Sequence, residues 1–409
     1  MNSNEKQNRI LGVLFGGAVG DAIGLHTEFL TAKNAIQFYG DHPTFTLPPT
    51  NMLLDQHRTK WFPGEWTDDT DQMLLILLAW LRNARPGPTV TVYDFANRLR
   101  IWISQGLLCL SKLPCGIGRT VGSVVLDQDF LEKPVEVANR VWEHSNRYLA
   151  ANGAVMRTSI CGLVSNNVDE VIQFSFQMAS VTHADRRCLI SCGIISGLIA
   201  SLVNGRQYNQ TLIEDIISTT ITAVDKFHAW TPASNTDPFM EGPEKHCFVD
   251  DLAQLKVDDG SKIGYTYLCL GTALWALKKV VNGQSYKDVI TELTMAGGDA
   301  DTNCAVAGAL IGSYLGYKEL PEDWVSGLAN GDWLMSKGEA VCSILQVSDK
   351  PYDPLSDKDT LPDGGHRLLS EQELQIRIQE FIGKQVARMN AKEGSHDDPK
   401  DDVEKCEIL

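Results

Sequence analysis

Apolar residues recur at three- and four-residue spacing through most of this chain. That period predicts helices over 9–23, 71–82, 91–105, 134–149, 168–180, 185–203, 211–227, 265–281, 286–296 and 302–315. Stretches that alternate apolar and polar at period two are scarce, so the reading is an all-α protein with one domain over residues 8–345. The links carry turn chemistry: 44–63 holds Pro48-Pro49, 105–118 is a glycine-bearing loop, and 230–261 is a long Pro- and Asp-containing loop expected to border an active site. Composition changes after Val347. Residues 350–365 read as a linker, Ser370 and Glu373 form a capping box that opens a charged helix to about residue 391, and the charged remainder to 409 is expected to be disordered. Residues 346–409 are thereby set apart from the domain.

Two distant segments concentrate acid and threonine: Gly64-Glu65-Trp66-Thr67-Asp68-Asp69-Thr70-Asp71 and Gly297-Gly298-Asp299-Ala300-Asp301-Thr302-Asn303. Each precedes a strongly apolar helix. Thr67 suits an N-cap and acids suit a helix start, but one Asp would serve that purpose. Crowded carboxylates repel, and one must stay protonated unless a cation sits among them. Oxygen-only sets suit Mg²⁺ or Mn²⁺ rather than zinc. Two half-sites, each short of ligands, point to one shared site for two metal ions and hence to a metal-assisted hydrolase.

The chain has 409 residues, 43% of them hydrophobic, which is enough for a sizeable core. A net charge of −16 excludes nucleic acid as a general ligand. A small anion held by backbone donors remains compatible with it. No secretory signal is read at the N-terminus, because the apolar stretch after Arg9 is broken by glycines and Asp21. The longest uncharged run, 188–203, is short for a bilayer and rich in Ser and Gly, so it reads as a buried helix and no transmembrane segment is expected. The ten cysteines form no CxxC or Cys/His cluster. Cys188 and Cys192 are expected as buried free thiols on one helix face, and the chain as an intracellular protein, cytoplasmic or nuclear. The terminal Cys406-Glu407-Ile408-Leu409 matches a loose prenylation box, against which stand Glu407 and the acidic approach to it.

The chain resembles the ADP-ribosylglycohydrolase family. The motifs that carry the resemblance are GDAIG (Gly20 to Gly24) with Glu28, WTDDT from Trp66, GIGRT from Gly116, NGAVMR from Asn152, Thr182-His183 and GGDADTN from Gly297, in the family's order over about residues 10–330. The resemblance implies a compact orthogonal helical bundle and Mg²⁺-dependent hydrolysis of the glycosidic bond linking ADP-ribose to an acceptor, either a protein side chain or an ADP-ribose chain. It implies Thr67, Asp68, Asp69, Asp299, Asp301 and Thr302 as ligands of two Mg²⁺ (or Mn²⁺), and none of these positions is substituted. Glu28, matched to an acid on a mobile flap, Asp69 and Asp301 are the implied catalytic residues. Gly116, Gly118 and Thr120 are expected to cradle a diphosphate, a role that closely spaced glycines fill through backbone N–H groups. Asn152 and His183 are expected at the ribose or phosphate, and Tyr265 on the adenine side. Arg157 reads equally well as a structural ion partner. The expected partners are ADP-ribose or an ADP-ribosylated protein, and a monomer is expected. Two alternatives lie outside this reading: a catalytically silent ADP-ribose-binding or crystallin-like relative, and another two-metal hydrolase such as a phosphoesterase.

Overall fold

Helix ends in the computed structural model, which describes residues 1–227 and 241–393, follow local chemistry. Thr91 accepts from the Asp94 N–H to start Val92–Gln105, and Asp185 accepts from the Arg187 N–H to start Arg186–Val203. Pro134 opens Pro134–His144, where its missing N–H costs nothing. That helix stops short of the expected residue 149 because Asn146 and Arg147 turn the backbone left-handed, with φ of 55° and 64°. Among the described residues there are isolated β-bridges and no strand, so the chain is all-α. The expectations for 394–409, Cys406 included, and for the start of the 230–261 loop lie outside the described residues.

Two helices form the axis of the domain. Ser3–Gly24 and Ala300–Leu315 run antiparallel and meet backbone to backbone. A Cβ added at Gly12, Gly16, Gly20 or Gly24 would lie 2.1–2.3 Å from the carbonyl oxygen of Gly312, Gly308, Cys304 or Ala300, respectively. Any side chain there would force the helices apart, so the fourfold glycine spacing sets both their register and their separation. Thr266–Val281, Tyr286–Met295 and Arg186–Val203 pack around Ala300–Leu315. Arg186–Val203 is apolar and long enough to cross a membrane, yet all of it is buried inside the fold.

The stretch expected as a linker lies across the domain and is tied to it. Lys337 Nζ reaches Asp357 at 2.6 Å and Asp359 at 2.8 Å, and Arg98 donates to the Thr360 carbonyl at 2.8 Å. The charged helix then runs Glu371–Glu393. Its capping box forms as expected: the Ser370 N–H donates to Glu373 Oε2 at 2.8 Å, and the Glu373 N–H to Ser370 Oγ at 3.3 Å.

Candidate active site

The glycine seam ends at the acidic residues. Gly24 stacks on Ala300, which brings Asp21 of one helix near Asp301 of the other. Asp21 then fixes the start of a third helix, Asp68–Asn83. Its carboxylate accepts from the Thr67 N–H at 2.9 Å, the Thr70 N–H at 3.0 Å and the Thr70 hydroxyl at 2.6 Å. With the three helices so held, the two acidic segments touch. Thr302 Oγ1 donates to Asp69 Oδ1 at 2.8 Å, and Thr67 Oγ1 donates to Asp69 Oδ2 at 3.0 Å. Gly297 and Gly298, each at φ +70°, press the second loop onto residues 29 and 30. The Phe29 N–H donates to the Gly298 carbonyl at 2.6 Å, and the Gly298 N–H to the Leu30 carbonyl at 2.8 Å. Only glycine fits at Gly298, where a Cβ would meet the Val257 carbonyl at 2.1 Å.

Carboxylate oxygens of Glu28, Asp299 and Asp301 all lie within 4.8 Å of one another, as do those of Asp21, Asp69 and Asp301. These groups are buried, Asp299 only partly, and desolvation raises the pKa of Asp68, Asp69 and Asp301 well above the ordinary range, and that of Asp299 as well. Neighbouring charge adds to this: Asp69 acts on Asp68, Asp21 on Asp69, and Glu28 on both Asp299 and Asp301. Asp21 is pushed up to about 6 by burial, against the opposing hydrogen bonds from Thr70 and Thr67. The converging donors are carboxylates, with the hydroxyls of Thr67 and Thr302 beside them. The two triads whose oxygens converge are carboxylate only, and the one imidazole beside them, His57, lies on Glu28 Oε2, so the set fits a hard divalent cation.

The acids form part of the wall of a cleft of about 980 Å³. All the expected substrate-side residues line it: Gly116, Gly118, Thr120, Asn152, His183 and Tyr265, together with Glu28, Asp68, Asp69, Asp299, Asp301 and Thr302. Thr67 does not line it; it sits behind Asp69. Gly116 has a further reason to be bare, since a Cβ there would lie 2.1 Å from Asp68 Oδ1. Gly118 precedes Arg119–Val125 as its N-cap, so free N–H groups and the Thr120 hydroxyl face one end of the cleft. Asn152 Nδ2 donates to Asp299 Oδ2 at 2.9 Å and its N–H to the Gly264 carbonyl at 2.8 Å, which joins the 152 loop to the 264 loop beside the acids. The Tyr265 hydroxyl donates to Glu241 at 2.8 Å, and its ring lies under Arg187, whose guanidinium is held by buried Asp185.

Arg157 is fully buried, and its hydrogen-bond partners are not carboxylates. It donates to Gln72 Oε1 and the Gly153 carbonyl, each at 3.1 Å, and to Thr182 Oγ1 at 2.7 Å. Thr182 Oγ1, which accepts from Arg157, also lies 2.8 Å from His183 Nδ1. His183 Nε2 is buried with no hydrogen-bond partner among the described residues. Burial, and after it the Arg157 charge, hold His183 well below its usual pKa, so a neutral imidazole lines the cleft.

Some acids of the first segment do not join the site. Asp71 turns away to accept from Trp66 Nε1 at 2.8 Å, Trp102 Nε1 at 3.2 Å and Lys112 Nζ at 2.8 Å. Glu65 accepts from the Phe62 N–H at 2.8 Å. Asp21, inside the GDAIG motif, was not among the expected site residues. Its signal was an acid within a glycine-rich apolar run. His57 was missed as well; its Nε2 lies 2.6 Å from Glu28 Oε2.

Carboxylates from distant helix starts thus converge in one cleft of an all-α scaffold, an arrangement that could hold a hard cation. The chain belongs to the ADP-ribosylglycohydrolase family, whose sequence pattern matches residues 2–353. It is thus an enzyme of the glycosyl hydrolase type. It is 22% identical over 347 residues to the ADP-ribosylarginine hydrolase Tri1 of Serratia proteamaculans, covering 85% of this chain and 82% of that protein. It is 22% identical over 342 residues to the ADP-ribosyl-[dinitrogen reductase] glycohydrolase of Rhodospirillum rubrum, covering 80% and 92%. A solved ADP-ribosylglycohydrolase-related protein complex shares the fold at a TM-score of 0.54 and 22% identity, covering 83% of this chain and 99% of that one.

Proposed function

We propose that this chain hydrolyses the glycosidic bond between the distal ribose of ADP-ribose and an acceptor, with two Mg²⁺ (or Mn²⁺) in the acidic site. The observation that carries the reading is the 2.8 Å contact between Thr302 Oγ1 and Asp69 Oδ1, which joins two segments 233 residues apart at the wall of a cleft of nucleotide-sugar size. Thr67, Asp68, Asp69, Asp299, Asp301 and Thr302 are the residues that would hold the ions. Asp21 acts behind them, since its carboxylate is engaged by Thr67 and Thr70. Bound there, the cations supply the charge that acidifies a water molecule and orients ribose hydroxyls.

The protein groups divide the remaining work. Both oxygens of Asp69 already accept hydroxyl hydrogens, so Asp301 takes the attacking water's proton. Glu28 gives a proton to the departing acceptor atom as the glycosidic bond breaks. One proton enters and one leaves the pair, and exchange with solvent resets it. The surrounding carboxylates stabilise oxocarbenium character at the anomeric carbon. His183, Thr120 and the free N–H groups after Gly118 bind the anionic diphosphate on an otherwise acidic protein. Tyr265 and Arg187 offer flat surfaces for the adenine. The described cysteines are free thiols, in keeping with an intracellular site of action.

The test is release of ADP-ribose from arginine- and serine-linked peptides in Mg²⁺. The arginine linkage comes first because of the named activity of the Serratia relative. Asp69→Ala and Asp301→Ala should each abolish turnover; full activity in either removes the proposal.

A further inference from the structure

The segment from Asp55 to Phe62 clasps the turn that carries Glu28. Asp55 Oδ1 accepts from the His57 N–H at 3.0 Å and the Arg58 N–H at 2.7 Å, which shapes the segment. Arg58, buried, donates to the His26 carbonyl at 2.9 Å and to the Glu28 carbonyl, and so holds the backbone of the turn. His57 holds its carboxylate, with Nε2–H on Glu28 Oε2 at 2.6 Å. The imidazole is wedged between the rings of Phe29 and Trp61, at centroid distances of 4.9 and 5.1 Å.

The same segment is gripped on its other side by Glu371–Glu393, which lies beyond the family-matched residues. Arg388 donates to the Trp61 carbonyl at 2.7 Å and Gln385 to the Thr59 carbonyl at 3.1 Å. Phe381 meets Phe62 edge-on at 5.7 Å. Trp61 therefore has the appended helix on its carbonyl and His57 on its ring.

We propose that His57 is a positioning residue that holds the Glu28 carboxylate toward Asp299 and Asp301, and that the Glu371–Glu393 helix braces it there. This rests on the reading of Glu28 as part of the hydrolytic site. Without the imidazole, Glu28 loses its fixed orientation while the acidic site stays intact, so the loss falls on kcat rather than on KM. The brace reaches Glu28 through His57 on its carboxylate and through Arg58 on its backbone, so damage to it should add less than its full effect to the loss of His57.

The experiment uses the full chain in three forms: His57→Ala, His57→Gln, and the helix variant Phe381→Ala/Arg388→Ala, the last also combined with His57→Ala. On an arginine-linked ADP-ribosyl peptide, His57→Ala is expected to lower kcat roughly ten- to a hundredfold with KM little changed. His57→Gln, whose amide donor has a similar reach, restores most of it. The helix variant lowers kcat several-fold alone and by clearly less than that on top of His57→Ala. Deuterium exchange without substrate rises over 26–31 and 55–62 in the helix variant. Unchanged kcat in His57→Ala, a Gln variant as impaired as the Ala variant, full additivity, or unchanged exchange over 26–31 each overturns the proposal. If the wild type turns over no ADP-ribosyl substrate, the functional reading fails by itself and the exchange result alone decides the brace.

Discussion

Removing divalent cations should destabilise this protein, and more so at high pH. A carboxyl group whose pKa is raised by folding contributes stability below its unfolded value, and that contribution is lost as pH rises through the folded value. For Asp21 the folded value is about 6 against 3.8, roughly two units, which is about 3 kcal/mol of cost once it ionises. Asp68, Asp69, Asp299 and Asp301 shift in the same direction. A cation that binds only the folded state offsets this by about 2.7 kcal/mol at a hundredfold excess over its Kd. For a chain of this size that is a rise in Tm of about 3 °C. The assay is scanning calorimetry after EDTA treatment, with Mg²⁺ added back at pH 8 and at pH 5. The shift should be largest at pH 8 and shrink at pH 5, where the acids regain protons. Asp301→Asn without cation should be more stable than wild type by about 1–3 kcal/mol and respond weakly to Mg²⁺. An equal Mg²⁺ shift in wild type and Asp301→Asn, or a shift larger at pH 5 than at pH 8, refutes the reasoning.

Other consequences are equally direct. Lys112→Met leaves the Asp71 carboxylate buried without its cation and should cost about 3–5 kcal/mol in urea unfolding. His26 is pushed down to about 4 by burial, while its Nδ1–H bond to the Ile23 carbonyl opposes the shift. The unfolded chain therefore binds a proton that the fold refuses, and stability should fall by up to about 3 kcal/mol as pH drops from 6.5 to 4. His26→Gln should flatten that part of the pH profile, measured by denaturant titration. Gly20→Ala places a Cβ 2.1 Å from the Cys304 carbonyl and should cost about 3 kcal/mol or more, with weaker Mg²⁺ binding because Asp21 moves with it.

The long helices were legible because their apolar stripes run for several turns, and 168–180 matches Val168–Ser180 end to end. Ala32–Tyr39 escaped because eight residues hold too few turns to show a period. Gly331–Ile344 escaped because it starts from Asn330 in the left-handed region, with no capping side chain to announce it. The acidic segments were legible as chemistry but not as geometry. Asp68, Asp69 and Asp71 read as one cluster, yet helical rotation of about 100° per residue turns Asp71 away from Asp69, two residues before it, and toward Lys112. His57 carried no local signal, since its partner Glu28 lies 29 residues away across irregular chain. The 350–365 stretch has the composition of a linker, and only the tertiary ties of Asp357 and Asp359 to Lys337 reveal it as packed.

The seam between Ser3–Gly24 and Ala300–Leu315 has a consequence for synthesis. The first helix leaves the ribosome long before the surface that accepts it exists, and until then it presents a bare glycine groove with Asp21 at one end. A nascent or clipped chain that stops before residue 299 thus holds Asp21, Glu28, Asp68 and Asp69 without Asp299 and Asp301 and with no means of arranging them, so activity arises only once nearly the whole domain has been made.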